Sequence, residues 1–355
     1  MPASTKRYRP ETSLVHAGTL RSQFGETSEA LFLTQGYVYP TAEDCEARFS
    51  GKTPGYVYSR YSNPTMSMFE QRMAAFEGAE AARSTATGMA AVTTALMGLV
   101  RAGDHVVAAK ALFGSCRWVI EEWLPRFGVT STLVNGTDLN DWKKAVQKNT
   151  KAFFLETPTN PTLEVIDIAA VADIAHNAGA RLVVDNVFAT PLYQRPLELG
   201  ADCVVYSATK HIDGQGRVLG GIILGSERLI LNHYHQVLRQ TGPSLSAFNA
   251  WILLKALETL PIRVQRQTDN AGAVANALHA LTLLIARQLV NELENLGPDI
   301  EYYVVPPLCP LVGSPYDFSR TSEHIDRAAA ATDVWLAQNG LEKREIPDEL
   351  RPHDH

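Results

Sequence analysis

The stretch Asp202-Cys-Val-Val-Tyr-Ser-Ala-Thr-Lys-His-Ile-Asp-Gly-Gln-Gly-Arg217 decides how this chain is organised. Its apolar run, 203–206, predicts a short buried strand. Two hydroxyl side chains, Ser207 and Thr209, follow that strand, and Lys210 comes next in a turn rich in glycine and polar groups. The pattern therefore places one amine and two hydroxyls just past the end of a strand.

An amine in this position is what an enzyme that uses pyridoxal phosphate (PLP) requires. The lysine amine forms a Schiff base with the cofactor aldehyde, and neighbouring hydroxyls bind the cofactor phosphate. The alternative interpretation is a solvated lysine in an ordinary surface loop, which is the commoner fate of a lysine. For the Ser-x-Thr-Lys motif taken alone, that alternative stays open.

A second apolar run, Arg181-Leu-Val-Val-Asp185, predicts another strand, and this one ends in a carboxylate. The separation from Asp185 to Lys210 leaves room for one helix or loop and one more strand, so both residues can lie at the same edge of a sheet. PLP enzymes place an anion against the pyridine nitrogen, because a protonated ring is the better electron sink. Asp185 suits that role, and its alternative is the N-cap of a helix.

Strands and helices alternate along most of the chain. Further strands are predicted at 105–109, 130–134, 151–156 and 220–225, with helices at 66–78, 88–99, 118–127 and 168–178. The alternation predicts an α/β fold with a mostly parallel sheet and helices on both faces. Such sheets bind ligands at the carboxyl ends of their strands. Four candidate site residues follow predicted strands: Phe113, Asn160, Asp185 and Lys210.

Two more segments carry candidate binding groups. The stretch Tyr56-Val-Tyr-Ser-Arg-Tyr61 combines phenol hydroxyls with a guanidinium fork, which suits an anion, although the tyrosines could simply pack on the surface. The stretch Ser84-Thr-Ala-Thr-Gly-Met-Ala-Ala-Val92 places small residues before a helix start, where free amides and the helix dipole favour a phosphate. The alternative there is close packing of small residues.

Two strand-end loops hold the remaining candidates. Phe113 can stack on a pyridine ring, or it can be plain core. Asn160 stands between two prolines, and its amide can bind the PLP 3′-oxygen or serve only the turn.

The segments around Lys210 and Asp185 resemble the Cys/Met-metabolism family of PLP enzymes, and the Lys210 segment matches that family's lysine signature almost position by position. Ile212-Asp-Gly-Gln-Gly-Arg217 and Leu112-Phe-Gly-Ser-Cys116 are most similar to its O-succinylhomoserine sulfhydrylase branch. The resemblance covers about residues 1–280. It implies the fold type I architecture of PLP-dependent transferases.

The resemblance also implies a role for each candidate. The catalytic set would be Lys210, Asp185 and Phe113. The phosphate would be held by the amides of Gly88 and Met89 and the hydroxyls of Ser207 and Thr209, with Asn160 on the 3′-oxygen. Tyr58 and Arg60 would reach the cofactor phosphate of a neighbouring subunit, so the resemblance implies a homo-oligomer, a dimer or a tetramer, with shared sites.

The implied reaction is a γ-replacement in methionine biosynthesis and trans-sulfuration: O-succinylhomoserine and sulfide give homocysteine and succinate. One alternative is a γ- or β-lyase that acts on cystathionine or methionine, or a cystathionine γ-synthase. Another is a truncated fusion that binds PLP without turnover. The family's small domain carries an arginine that clamps the substrate carboxylate, and no segment after residue 280 matches it.

Four regions follow from this comparison: an arm at 1–56, a PLP-binding domain at 57–250, a connecting helix at 251–280, and an atypical tail at 281–355 in place of the small domain. Residues 304–319 and the helix predicted at 323–339 resemble the carboxyl end of patatin-like phospholipases. The sequence holds no Gly-x-Ser-x-Gly nucleophile elbow. We therefore expect no second active site in the tail.

Composition narrows the class of protein. The chain has 355 residues, 45% of them hydrophobic and 20% charged, with a net charge of -6, which argues against nucleic acid or an anionic membrane as a partner. The cysteines, Cys45, Cys116, Cys203 and Cys309, have neither metal-ligand spacing nor disulfide density, so we expect no metal site. With no secretory signal and no long apolar run visible, the expected location is the cytoplasm.

Overall fold

The computed structural model describes residues 9–295 and 321–338. They form two units, one that extends to Val264 and one that begins at Gln265. The tail stretch 304–319, which resembles phospholipases in sequence, lies outside the described residues. The division into four regions stays a prediction.

One sheet organises the first unit. Its strands are β1 (Ala81–Thr85), β2 (His105–Ala109), β3 (Thr130–Val134), β4 (Thr150–Glu156), β5 (Arg181–Asp185), β6 (Cys203–Ser207) and β7 (Gly221–Gly225). The seven strands lie in the order β1-β7-β6-β5-β4-β2-β3. All neighbours from β6 to β3 pair in parallel, and only β7 runs antiparallel, to both β6 and β1. The mostly parallel α/β sheet predicted from the sequence is confirmed.

Helices separate the strands along the chain. They are α1 (Pro10–His16), α2 (Ala42–Phe49), α3 (Pro64–Glu77), α4 (Gly88–Met97), α5 (Gly114–Trp118), α6 (Leu139–Ala145), α7 (Ile168–Asn177), α8 (Thr190–Tyr193), α9 (Glu227–Leu229), α10 (His235–Thr241), α11 (Ala247–Leu257), α12 (Leu260–Glu294) and α13 (Thr321–Ala337). Within the described residues, no helix is both long enough and apolar enough to span a bilayer.

The sheet is covered on both faces. Phe153 and Phe154 are neighbours on β4, so their side chains point to opposite faces, and both have no exposed surface. Every residue of β2 and of β7 is likewise buried. A strand buried on both faces needs a continuous apolar run rather than an alternating one. This is why apolar runs in the sequence predict these buried strands.

Polar caps fix where the helices next to the sheet begin. The Thr87 side chain accepts a hydrogen bond from the Ala90 amide, so α4 starts directly after β1. Asp167 caps α7 in the same way through the Ala170 amide. Gly78 ends α3 in the left-handed conformation, with φ of 82°. The short connection from Thr85 to Gly88 keeps the amino end of α4 beside the end of β1.

The arm is joined to the sheet domain by a buried ion cluster. Arg72 on α3 has no exposed surface, and its guanidinium lies 2.5 Å from the Glu29 carboxylate. The same guanidinium donates to the Ala17 carbonyl at 3.1 Å, and Lys255 on α11 lies 2.9 Å from Glu29. Glu29 therefore links the arm to two helices of the domain.

Candidate active site

Most of the candidate residues, though not Tyr58 and Arg60, lie at one edge of the sheet, where its parallel strands finish. On β4 and β5, Glu156 pairs directly with Asp185. On the next strands, Ser207 of β6 pairs with Gly221 of β7, which pairs in turn with Thr85 at the end of β1. The ends of five strands thus lie side by side along this edge, as expected for a site at the carboxyl ends of parallel strands.

Gly88 and Ser207 are in close contact. A Cβ atom on Gly88 would lie 2.5 Å from the Ser207 Cβ and 2.7 Å from its hydroxyl oxygen. Gly88 is also the first residue of α4, where the leading amides of a helix have no intrahelical carbonyl to bind. The absence of a side chain therefore brings free helix amides beside a serine hydroxyl, which is a suitable seat for an anion.

The turn that carries Lys210 is held by its own backbone and by a buried carboxylate. The Lys210 amide donates to the Ser207 carbonyl at 3.2 Å, and the Gly214 amide donates to the Lys210 carbonyl at 2.7 Å. Asp213 has no exposed surface and accepts from the Arg217 amide at 2.7 Å and side chain at 2.9 Å. The Lys210 side chain itself is exposed, so a rigid turn presents a free amine.

Arg263, at the start of α12, closes the same turn from the other side. Its guanidinium donates to the carbonyls of His211 at 2.9 Å and Ile212 at 3.1 Å. A Cβ on Gly214, whose φ is +67°, would lie 1.7 Å from that guanidinium, so the turn needs glycine there. Sequence reasoning missed Arg263, because 52 positions separate it from His211.

Thr209 makes contacts within the turn. Its hydroxyl donates to the Gly220 carbonyl at 3.3 Å and accepts from the Gly220 amide at 3.2 Å. A phosphate bound here would compete with that carbonyl for the same hydroxyl proton. Ser207 and Thr209 therefore differ in availability, although the sequence motif presents them as equivalent.

Asp185 ends β5 in a buried position. One carboxylate oxygen accepts from the Val187 amide at 3.0 Å, and the residue is only 7% exposed. Burial, followed by the neighbouring charge of Glu156, raises the pKa of Asp185 to about 7. A cation beside Asp185 would lower this pKa again, because a positive charge favours the ionised carboxylate that burial disfavours.

Glu156 brings two loops to the side of Asp185. Its carboxylate accepts from the Phe113 amide at 2.7 Å and from the Asn160 amide at 3.1 Å. Both predicted residues therefore lie at the edge next to Asp185, and both side chains are exposed there. Our sequence interpretation missed Glu156. The available signal was an apolar strand that ends in an acid, the same pattern that drew attention to Asp185.

Tyr58 and Arg60 lie in another group of contacts. The Arg60 guanidinium lies 5.3 Å from the Tyr58 ring centre and 5.1 Å from that of Tyr61, and it donates to the Arg239 carbonyl. In the described part of the chain, no hydrogen bond or ion pair joins these two residues to Lys210 or Asp185. Their predicted role in a neighbour's site stays a prediction.

Comparison with known proteins agrees with this geometry. Residues 11–283 match the family described as Cys/Met metabolism PLP-dependent enzyme. The chain belongs to this family.

Several members of the family are similar over the same region. An O-succinylhomoserine sulfhydrylase of Mycobacterium tuberculosis is 56% identical over 265 residues, which are 75% of this chain and 65% of that protein. One of Pseudomonas aeruginosa is 50% identical over 268 residues, 76% of this chain and 66% of the relative. An L-methionine gamma-lyase of Fusobacterium nucleatum is 38% identical over 277 residues, with 78% and 70% covered. The chain thus spans just under two thirds of the length of the sulfhydrylases that it matches.

Solved structures of the family share the fold. The structure of metB from Corynebacterium glutamicum has a TM-score of 0.73 at 33% identity, and the match covers 77% of this chain and 69% of that one. A protein described as an O-acetylhomoserine (thiol)-lyase of Campylobacter jejuni has a TM-score of 0.73 at 30% identity, covers 77% and 75%, and carries a pyridoxyl-lysine phosphate. The fold type I architecture expected from the sequence is confirmed.

PLP is the cofactor of this family, and the residues at the sheet edge fit it. The Gly88–Ser207 approach leaves a cradle that a Cβ would fill, next to unbonded helix amides. The buried Asp185 carboxylate, with its raised pKa, favours a cationic partner such as a protonated pyridine nitrogen. The exposed Lys210 side chain stands on the turn that follows Ser207.

Proposed function

We propose that the chain is a PLP-dependent γ-replacement enzyme that converts O-succinylhomoserine and sulfide into homocysteine and succinate. The observation that carries the cofactor chemistry is the sheet edge itself, where a helix-end cradle, a lysine-bearing turn and a buried carboxylate lie on neighbouring strands. The choice of substrate is supported by relatives that are 50% to 56% identical and are named O-succinylhomoserine sulfhydrylases.

Each candidate residue has a part in the proposed binding. Lys210 would hold the cofactor covalently, and Asp185 would keep the ring nitrogen protonated. Phe113 would stack on the ring, and Asn160 would bind its 3′-oxygen. The amides of Gly88 and Met89 and the hydroxyls of Ser207 and Thr209 would hold the phosphate. Lys210, Asp185 and Phe113 form the catalytic set.

The proposed reaction depends on proton movement by Lys210. PLP, when bound, would supply an electron sink that acidifies the carbon–hydrogen bonds of the substrate. The Lys210 amine would take protons from Cα and Cβ and later return them. The bond between the γ-carbon and its oxygen breaks, and succinate leaves with the electron pair. The sulfur of hydrosulfide then forms the new bond to the γ-carbon and keeps its proton.

We propose a homo-oligomer, a dimer or a tetramer, in which Tyr58 and Arg60 of one subunit bind the cofactor phosphate of another. The arm supports this arrangement, because Phe24, Leu33 and Val38 are 84%, 72% and 97% exposed in the single chain. Apolar side chains in such positions suit burial against a second copy. The free thiols of Cys45, Cys116 and Cys203 are in keeping with a cytoplasmic location.

A lysine substitution tests the proposal. Purified wild-type protein with PLP should absorb visible light and change its spectrum when O-succinylhomoserine is added, and with sulfide it should release homocysteine. Lys210→Ala should lose the lysine-linked absorbance and lower turnover by at least about a thousandfold, because both proton transfer and covalent attachment are lost. The matched control is Lys143→Ala, which removes an exposed lysine of α6. Full colour and turnover in Lys210→Ala would refute the assignment.

The same assay can identify two alternatives. The 38% identity to an L-methionine gamma-lyase favours elimination as the second candidate reaction. Release of 2-oxobutanoate from methionine or cystathionine in the absence of sulfide would identify it. A chain that binds PLP and turns over none of these substrates would instead be a binding-only fusion, in keeping with the absent match for a carboxylate-clamping arginine after residue 280.

A further inference from the structure

We propose that Glu156 is a positioning residue of the site: its carboxylate fixes the two backbone segments that present Phe113 and Asn160, and its negative charge acts on Asp185. The inference deepens the proposed function, since both loop residues are assigned there to the cofactor. Glu156 itself is not placed in contact with cofactor or substrate.

The geometry requires both carboxylate oxygens. Glu156 is the last residue of β4, with the loop after β2 on one side and its own following loop on the other. One oxygen accepts from the Phe113 amide at 2.7 Å, and the other accepts from the Asn160 amide at 3.1 Å. Glutamine offers only one acceptor oxygen, and aspartate is shorter by one methylene group. Neither substitute can hold both amides in the same way.

Both residues that Glu156 holds have little packing of their own. The Phe113 side chain is 43% exposed, and Asn160 is exposed as well. Side chains with few neighbours take their direction from the backbone that bears them, so hydrogen bonds to that backbone decide where the ring and the amide point. A carboxylate that binds two loops at once also fixes their separation.

The charge of the same carboxylate acts on Asp185, in addition to the larger effect of burial. Three ionisable groups from other elements act on or respond to the Asp185 charge: Glu156 on β4, Cys116 on α5 and Tyr206 on β6. Burial raises the pKa values of Cys116 and Tyr206, so both stay neutral near pH 7. Burial also raises the pKa of Glu156, while the Phe113 and Asn160 amides oppose that rise. Of the three, Glu156 is the one whose charge raises the pKa of Asp185.

Two substitutions separate the effect of side-chain length from the effect of charge. Glu156→Gln keeps the length and removes the charge, whereas Glu156→Asp keeps the charge and shortens the side chain. Both should weaken PLP binding at pH 8 by roughly tenfold, because each loses a charge-assisted hydrogen bond. Only Glu156→Gln should shift the acid limb of PLP affinity to lower pH, since Asp185 then ionises more readily. The control is Glu122→Gln, which removes an exposed carboxylate.

A second readout needs no cofactor. In the PLP-free chain, hydrogen–deuterium exchange at the Phe113 and Asn160 amides should be roughly tenfold faster in both variants than in wild type, because each amide loses its acceptor or a good geometry with it. Wild-type protein that takes up no PLP while the exchange change is present would contradict the proposed function and leave the positioning role standing.

Other results would overturn the positioning role. Unchanged exchange at both amides would do so. The role would also be overturned if wild type and both variants bound PLP equally well and lost that affinity over the same acid pH range. Two variants that fail to fold without PLP while Glu122→Gln folds would overturn it as well, since Glu156 would then serve the fold as a whole. A parallel loss of thermal stability with no change in the acid limb of Glu156→Gln would likewise point to a structural role alone.

Discussion

At the scale of single residues, Gly88 shows how the lack of a side chain can build a site. Its close approach to Ser207 depends on there being no Cβ, since that atom would lie 2.5 Å from the Ser207 Cβ. A contact this short with a rigid strand residue cannot be relieved by rotating a flexible side chain. The sequence placed Gly88 at a helix start, but it could not show that β6 comes so near, because 119 positions separate Gly88 from Ser207.

Substitution at this position gives a direct test. Gly88→Ala should weaken PLP binding at least about tenfold and destabilise the fold by about 1 to 3 kcal/mol, because the added methyl overpacks the contact with Ser207. Gly114→Ala is the matched control: Gly114 also begins a helix after a strand, and a Cβ there meets nothing within 4 Å. PLP titration and chemical unfolding measure both effects. Equal affinities in the two variants would contradict the proposed cradle.

Glu77 is a single residue that makes the stability of the fold depend on pH. Burial raises the pKa of Glu77 to about 8, although the Tyr206 hydroxyl donates to it. The folded chain therefore keeps a proton that the unfolded chain releases near pH 4 to 5, and stability falls as pH rises from there to about 8. The slope from this one group approaches about 1.4 kcal/mol per pH unit.

Glu77→Gln should remove that part of the slope. The amide oxygen still accepts from Tyr206, so little is lost at pH 5, while the variant should be the more stable protein at pH 9. Urea unfolding of the PLP-free chain at several pH values measures the difference between the two proteins, in which the titration of Asp185 and His235 cancels. Identical slopes would show that Glu77 is ionised in the folded state.

At the scale of elements, strands were predictable and contacts between loops were not. The strands at 105–109 and Arg181–Asp185 have the bounds that their apolar runs indicated, because burial on both faces leaves a continuous apolar signal. The strand at 130–134 also has its predicted bounds, although most of its residues are at least partly exposed. The predicted helix at 118–127 is instead the end of α5 followed by a π turn, Val119–Trp123, and a 3₁₀ turn, Leu124–Phe127. A helical period does not distinguish these hydrogen-bonding patterns.

The missed site residues share one cause. Glu156 and Arg263 act by binding backbone groups of other segments, and such groups carry no sequence signal. The residues proposed to meet PLP were found because cofactor chemistry restricts their side chains to few types. Several residue types can hold a loop in place by binding its backbone. The sequence therefore does not mark such residues, and only the coordinates reveal them.

The arm is an element whose attachment can be tested. Arg72→Met should destabilise the fold by about 3 kcal/mol or more, because it leaves the buried Glu29 carboxylate without its guanidinium partner. Limited proteolysis should then cut the arm near residues 17–30 faster than in wild type. The control is Arg117→Met, which breaks an exposed pair with Glu121 and should leave the stability almost unchanged.

The pH dependence of the arm supports the same test. Burial alone would raise the pKa of Glu29, but hydrogen bonds from Lys255 and Arg72 lower it to about 2. Its contribution to stability is therefore present above pH 4 to 5 and is lost as pH falls toward 2. Equal protease sensitivity in Arg72→Met and wild type would show that the arm is held by other contacts.

At the scale of the whole molecule, the proposed sharing of sites between subunits can be tested. Arg60 contacts Tyr58, Tyr61 and Arg239 within its own chain, while Lys210 and Asp185 lie at the sheet edge. If Arg60 serves a neighbour's phosphate, two inactive variants can restore each other. Lys210→Ala supplies an intact Arg60, and Arg60→Ala supplies an intact Lys210, so a mixed dimer contains one whole site.

Mixing the two variants after joint unfolding and refolding should therefore return activity. Random pairing of equal amounts leaves about a quarter of all sites intact, so turnover should rise to about that fraction of wild type. Each variant refolded alone serves as the control and should stay inactive. A mixture no more active than its components, in a sample that sedimentation shows to be dimeric or larger, would mean that Arg60 acts within its own chain, and the shared-site arrangement would have to be abandoned.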